Sequence, residues 1–138
     1  MRKSCFKILC SIIIMLVLII TLSACTETSE PDYAGPITEG ILIGMNEEHY
    51  AKFSEHFDED MIAALPEANF EQLTTSIKSQ IGDYVPDSKE FDKIITSDIY
   101  TDVFYKARFT KGYEFVVHVS FHESDGEIYV NGFWLEEP

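Results

Sequence analysis

Three patterns of apolar residues follow one another along the chain. From Ile8 to Ile20 they run almost unbroken, with only Ser11 interrupting. From Ile41 to Ile81 they recur at roughly helical spacing, and beyond Tyr84 they alternate with polar residues. The middle pattern predicts a helix with Thr38 as a candidate cap and Ile41, Leu42, Met45, Tyr50, Phe53 and Phe57 on its apolar side, interrupted by Gly44 and Asn46. A second helix is predicted to begin near Pro66, where a missing amide costs nothing, with Phe70, Leu73, Ile77 and Ile81 facing inward and Gly82 as its stop. Asp58 to Leu65 is predicted as a short connecting turn or helix that buries Met61, Ile62 and Leu65.

The period-2 region predicts four strands, Glu90 to Asp98, Ile99 to Thr110, Tyr113 to Glu123 and Glu127 to Glu136, with Lys111-Gly112 and Asp125-Gly126 as hairpin turns. In the third strand Tyr113, Phe115, Val117, Val119 and Phe121 share one side, opposite Glu114, His118, Ser120 and His122. The register of the last strand has two solutions. A two-residue turn and a three-residue bulged turn at Asp125-Gly126 differ by one step, which exchanges Phe133 for Trp134 as the inward residue. Helices followed by a meandering antiparallel sheet make an α+β domain with the sheet curled around the helices.

The first apolar run sits behind Arg2, Lys3 and Lys7, and no further charge occurs before Glu27. This is the layout of an export signal. It ends in Leu22-Ser23-Ala24-Cys25, which resembles the lipobox of bacterial-type lipoproteins. That resemblance implies lipid attachment to Cys25, cleavage between Ala24 and Cys25, and a domain anchored on the extracytoplasmic side of a membrane. The alternative is an uncleaved signal anchor, since the run approaches the roughly 17–25 residues that span a bilayer. Either way the domain lies outside the cytoplasm. The expected division is a signal peptide over 1–24, a flexible polar tether over 25–36 and the α+β domain over 37–138.

Cys5 and Cys10 would leave with the leader and Cys25 would carry lipid, so the mature domain has no thiol for a disulfide and must rely on its core. Arg2, Lys3 and Lys7 leave as well, so seven basic residues face 24 acidic ones, a formal charge of −17 compared with −14 for the whole chain. Such a surface repels nucleic acid and anionic headgroups.

The ionisable residues spell out no catalytic or cofactor motif. His118 and His122 stand four apart on a strand, roughly 13 Å, too far to share one zinc. His49 and His56, seven apart on a helix, are separated by about 10 Å of rise. A calcium loop starting at Asp58 would place Ala63 where glycine is needed and Asn69 where the bidentate glutamate belongs. No Gly-x-Ser-x-Gly elbow occurs, and Gly35, Gly40 and Gly44 do not form a phosphate-cradling loop. No cofactor or metal is expected.

The stretch MNEEHYAKFSEHFDEDMIAALPEANFEQLTTSIKSQIGDY, followed by hairpins ending in VVHVSFHESDGEIYVNGF, resembles the domain of unknown function 3887 family within the nuclear transport factor 2-like superfamily. The resemblance covers the chain from about Gly40 onward. It implies a cone-shaped, cystatin-like fold with a pocket at its open end, for which Tyr84, Tyr105, His118 and Trp134 are the candidate lining residues. It transfers no catalytic residue. The expectation is a membrane-tethered module that binds a small molecule or an envelope protein. The alternative is a small hydrolase, lyase or isomerase-like enzyme using the cone. A homodimer through the outer face of the sheet is a further expectation, with Val116, Ile128 and Val130 as its apolar contacts if the register leaves them outside.

Overall fold

A computed structural model describes residues 29–138; the leader, Ala24 and Cys25 lie outside the described residues. Among the described residues four helices precede four strands: α1 (Ala34–Asn46), α2 (Tyr50–Phe53), α3 (Glu59–Ala64), α4 (Glu67–Ile81), β1 (Glu90–Thr96), β2 (Tyr100–Arg108), β3 (Glu114–Ser124) and β4 (Glu127–Glu136). The strands form one open antiparallel meander in the order β1-β2-β3-β4, and the helices cover one of its faces. The α+β architecture is as the sequence predicts.

The folded unit starts earlier than position 37. Ala34 is fully buried, Tyr33 packs edge-on against Phe121 at 5.3 Å, and Glu30 accepts a hydrogen bond from Tyr105. The tether expected over 25–36 is therefore corrected for residues 30–36, which belong to the domain. Gly35 and Pro36 sit in the first turn of α1, where the amide that proline lacks has no intrahelical partner to lose. Thr38, expected as a cap, lies inside this helix and is fully buried.

Gly44 does not break α1, which continues to Asn46. It admits the backbone of α2, since a Cβ there would come within 2.6 Å of the Phe53 nitrogen. The side chain of Asn46 then pairs with the backbone of Tyr84, its Nδ2 donating to the carbonyl at 2.7 Å and its Oδ1 accepting from the amide at 2.9 Å. Asp58 caps α3 by accepting from the Met61 amide at 2.8 Å. Met61 is buried, whereas Ile62 is 46% exposed, against the expected burial. One turn of helix directs adjacent residues to different sides, so only Met61 reaches the core. α4 ends at Gly82, whose φ of 86° lies where glycine is favoured.

The last hairpin resolves its register in two steps. Ser124 pairs with Glu127, so the turn has two residues, and Asp125 and Gly126 both have positive φ, 54° and 80°. That register places Val130 inward opposite Phe121. Ser120 then pairs with Gly132, leaving Asn131 as an extra residue in a bulge. The bulge reverses the alternation, so Phe133 and Leu135 join the core while Trp134 turns out. Val130 is fully buried and Ile128 packs against the core, so neither supplies the expected outer-face dimer contact; of the three residues named, Val116 alone keeps outward parity.

Aromatic rings fill the space between helices and sheet. Phe53 is fully buried and packs against Phe70 at 4.7 Å, Phe57 at 4.9 Å and Phe133 at 6.2 Å. Side chains from helices α2 and α4 thus meet one from β4 through a single ring.

Candidate functional site

The uncovered face of the sheet carries a continuous row of stacked side chains. Lys93 pairs with Phe104, Phe104 with His118, and His118 with Trp134, so one residue from each strand stands in register. The Lys93 ammonium lies 4.6 Å from the Phe104 ring centre. Phe104 stacks on His118 at 4.2 Å and 16°, and His118 stacks on Trp134 at 4.5 Å and 29°. Cross-strand neighbours on one face are close enough for such contacts, and the cation completes one end of the π stack.

His118 is hydrogen-bonded at one ring nitrogen and faces a second carboxylate with the other. Nε2 lies 2.9 Å from Asp102 and Nδ1 lies 3.6 Å from Glu136. Gly132 leaves the benzo edge of Trp134 room to lie against the sheet, because a Cβ at that position would overlap the ring. Trp134 remains 46% exposed.

A second row lies four residues along β3. Tyr100, His122 and Tyr129 are cross-strand partners, with ring separations of 6.3 Å and 5.7 Å from the central histidine. His122 Nε2 is 3.0 Å from Asp58, the same carboxylate that caps α3. One acidic side chain therefore fixes both a helix start and an imidazole orientation. Among the described residues no group of three or more histidine, cysteine or acidic side chains converges as a metal site.

The four residues expected to line one pocket divide between opposite faces of the sheet. Tyr84 and Tyr105 are 2% and 0% exposed on the helix side, and their hydroxyls donate to Glu39 at 2.9 Å and Glu30 at 2.7 Å. Burial raises both phenols above the ordinary tyrosine range, and the adjacent carboxylates add to the shift. His118 and Trp134 stand on the uncovered face. The expected common pocket is corrected: the four stand on two sides of the sheet, and Tyr84 borders a cleft of only about 10 Å³ with Met45, Asn46, Thr74 and Phe109. A more open recess of about 370 Å³ lies between α3 and α4, lined by Leu65, Pro66, Asn69, Phe70 and Leu73, and includes none of the four.

Sequence reasoning missed Lys93, Phe104 and Asp102. Phe104 carried a usable signal, since it has the parity opposite to Val103, Tyr105 and Ala107, the buried series of its strand. An aromatic residue out of phase in this way marks an occupied outer face. Cys25 and Ala24 lie outside the described residues. Among the described residues no helix is long and apolar enough to cross a membrane. Comparison with protein-family models, curated proteins and solved structures finds no match.

Proposed function

We propose that this chain is an extracytoplasmic lipoprotein, anchored through lipid on Cys25, whose domain is a binding module that presents the outer face of its sheet to an envelope partner. The observation that carries the binding reading is the ordered row Lys93, Phe104, His118 and Trp134, standing on a sheet face that no helix covers. Trp134, at one end of the row, is 46% exposed. Stacked rings fixed by register, with the central imidazole hydrogen-bonded to Asp102, give a rigid surface, which lowers the entropy lost on association. Aromatic residues of this kind are enriched where proteins bind partners. The anchoring reading rests on Leu22-Ser23-Ala24-Cys25 behind the basic and apolar leader.

Two measurements test these parts separately. Intact mass of protein recovered from its membrane should show loss of residues 1–24 and added acyl chains, both abolished by Cys25→Ala; an unmodified full-length mass defeats the anchor. A photoreactive residue at position 134 should give a discrete adduct in intact envelopes, while one at Glu71, on the exposed side of α4, should not. Equal labelling from both positions, or none from 134, defeats the binding face.

A further inference from the structure

We infer that the β1–β2 turn is a membrane-contacting tip, seated at the interface of the bilayer that holds the anchor. The inference rests on the reading of Cys25 as the lipidated residue and adds an orientation and a second contact to it. Four peptide units separate Cys25 from Ser29, so their Cα atoms lie within about 14 Å of each other in any conformation. Extra chain cannot be supplied by the following residues, because Glu30 is hydrogen-bonded to Tyr105, Tyr33 is packed on Phe121 and Ala34 is buried. The lipid must therefore enter the membrane close to where Ser29 meets the domain.

That place is the β1–β2 end of the sheet. Ser29 to Tyr33 share a recess with Ile94, Thr96 and Thr101, and Thr96 pairs with Thr101 in the last rung before the turn. The turn closes through the Ser97 amide, which donates to the Tyr100 carbonyl at 2.8 Å. At its tip Ile99 is 69% exposed, the highest value of any large apolar side chain among the described residues, and Ile95 and Tyr100 flank it. A turn tip ordinarily carries polar residues. An aliphatic residue beside a tyrosine, at the end where the chain leaves for its lipid, matches the chemistry of a bilayer interface, apolar below and hydrogen-bonding above.

Charge at the same end selects the lipid. Asp98 lies in the turn, and the neighbouring β3–β4 turn brings Glu123, Asp125 and Glu127. These carboxylates oppose an anionic surface, so the contact suits zwitterionic headgroups. It also leaves Trp134, two rungs of alternation further along the outer face than Tyr100, clear of the membrane and open to a partner.

The test uses the lipoprotein purified from its membrane and reconstituted in phosphatidylcholine vesicles containing bromine-labelled acyl chains, after intact mass has established acylation. The native Trp134 is the chain's one tryptophan and serves as the internal control. In Trp134→Phe/Ile99→Trp the single tryptophan at 99 should be quenched at least threefold more strongly than Trp134 in the wild type, and the difference should shrink when half the lipid is phosphatidylglycerol. Equal quenching at both positions, or stronger quenching of Trp134, overturns the orientation. An acylated protein whose residue 99 is not quenched overturns the tip while leaving the anchor intact, and a protein without acyl chains overturns the anchor on which it rests. Ile99→Ser, with the native tryptophan retained, should keep the fold and increase proteolytic release of the domain from vesicles; unchanged release counts against the contact.

Discussion

Tyr105 and Glu30 are 75 residues apart in the chain and joined by a hydrogen bond of 2.7 Å. The bond ties the segment preceding α1 to the centre of the sheet, and with Tyr33 against Phe121 it makes residues 30–36 part of the folded unit. Glu30→Ala removes the acceptor from a hydroxyl whose residue is fully buried. Unfolding in urea should show a loss of about 1–3 kcal/mol, the range for a buried polar group left without its partner. Glu30→Ala in a Tyr105→Phe background should cost much less, because the hydroxyl is then absent. A neutral single mutant would show that residues 30–36 behave as free tether.

The same two groups, with Tyr84 and Glu39, set an alkaline limit on stability. Burial raises the folded-state pKa of both phenols above the ordinary value of 10.0, and the carboxylates act in the same direction. Their contribution is fully present below the unfolded pKa, and is lost as pH rises above about 10, where the unfolded chain releases protons that the folded chain retains. Stability should therefore fall with pH from about 10 upward. Phenolate absorbance from these two residues should appear together with unfolding, and Tyr84→Phe/Tyr105→Phe should remove that coincident component. Ionisation of both before loss of the near-ultraviolet dichroism would contradict the buried hydrogen bonds.

Gly44 sits where helix propensity and packing oppose each other. In an exposed helix interior, Gly→Ala stabilises by about 1 kcal/mol. Here the added methyl would meet the backbone nitrogen and Cα of Phe53 at 2.6 and 2.8 Å, and backbone cannot swing aside as a long side chain can. Gly44→Ala should destabilise by about 1–3 kcal/mol, the range for overpacking. Gly40→Ala in the same helix meets nothing within 4 Å and should be neutral or stabilising, so thermal melts of the pair separate the two effects.

The α+β order, the helix from Pro66 to Gly82 and the four strands were legible because each rests on local periodicity or on a residue with strong backbone preference. The start of the domain was not. Glu30, Pro31 and Asp32 look like linker by composition, and only Tyr105 far along the chain gives Glu30 a reason to be ordered. The last hairpin shows a related limit. Asp125-Gly126 identifies the two-residue turn, but the bulge at Asn131 then reverses the side to which Phe133 and Trp134 point. Asn131 has no local mark of this, and the glycine that makes room, Gly132, acquires its meaning only from the indole beside it. The candidate site was half legible for the same reason. Alternation along β3 sets His118 opposite Val117 and Val119, so it is the cone implied by the family resemblance that groups it with Tyr84 and Tyr105, whereas the side taken by Trp134 depends on the bulge.

Asp58 couples the second row of the outer face to the helices. One of its oxygens accepts from the Met61 amide at 2.8 Å and the other lies 3.0 Å from His122 Nε2. Asp58→Ala should lose the cap of α3, worth about 0.5–2 kcal/mol, and release the imidazole. Asp58→Ser can retain the cap but is too short to hold His122 as well. Stability close to the wild type with altered His122 ring resonances is therefore the expected signature of the serine variant, and stability losses equal to those of alanine would assign the main role to the imidazole contact.

Gly132 tests whether the first row is a set of specific contacts or an accident of exposure. In a strand interior glycine is weaker than alanine by about 0.5–1 kcal/mol, so Gly132→Ala should stabilise if nothing stands over it. The indole of Trp134 does stand over it, and a methyl there must displace the ring from His118. Gly132→Ala should therefore destabilise, by about 0.5–1.5 kcal/mol from the lost stacking, and shift the emission of the single tryptophan to longer wavelength. In a Trp134→Ala background the obstruction is gone and the sign should reverse, so that Gly132→Ala becomes neutral or stabilising. Partner binding should weaken in Gly132→Ala, because a displaced ring no longer presents the surface that the register of Phe104, His118 and Trp134 builds, and in the Trp134→Ala background Gly132→Ala should have no further effect on it.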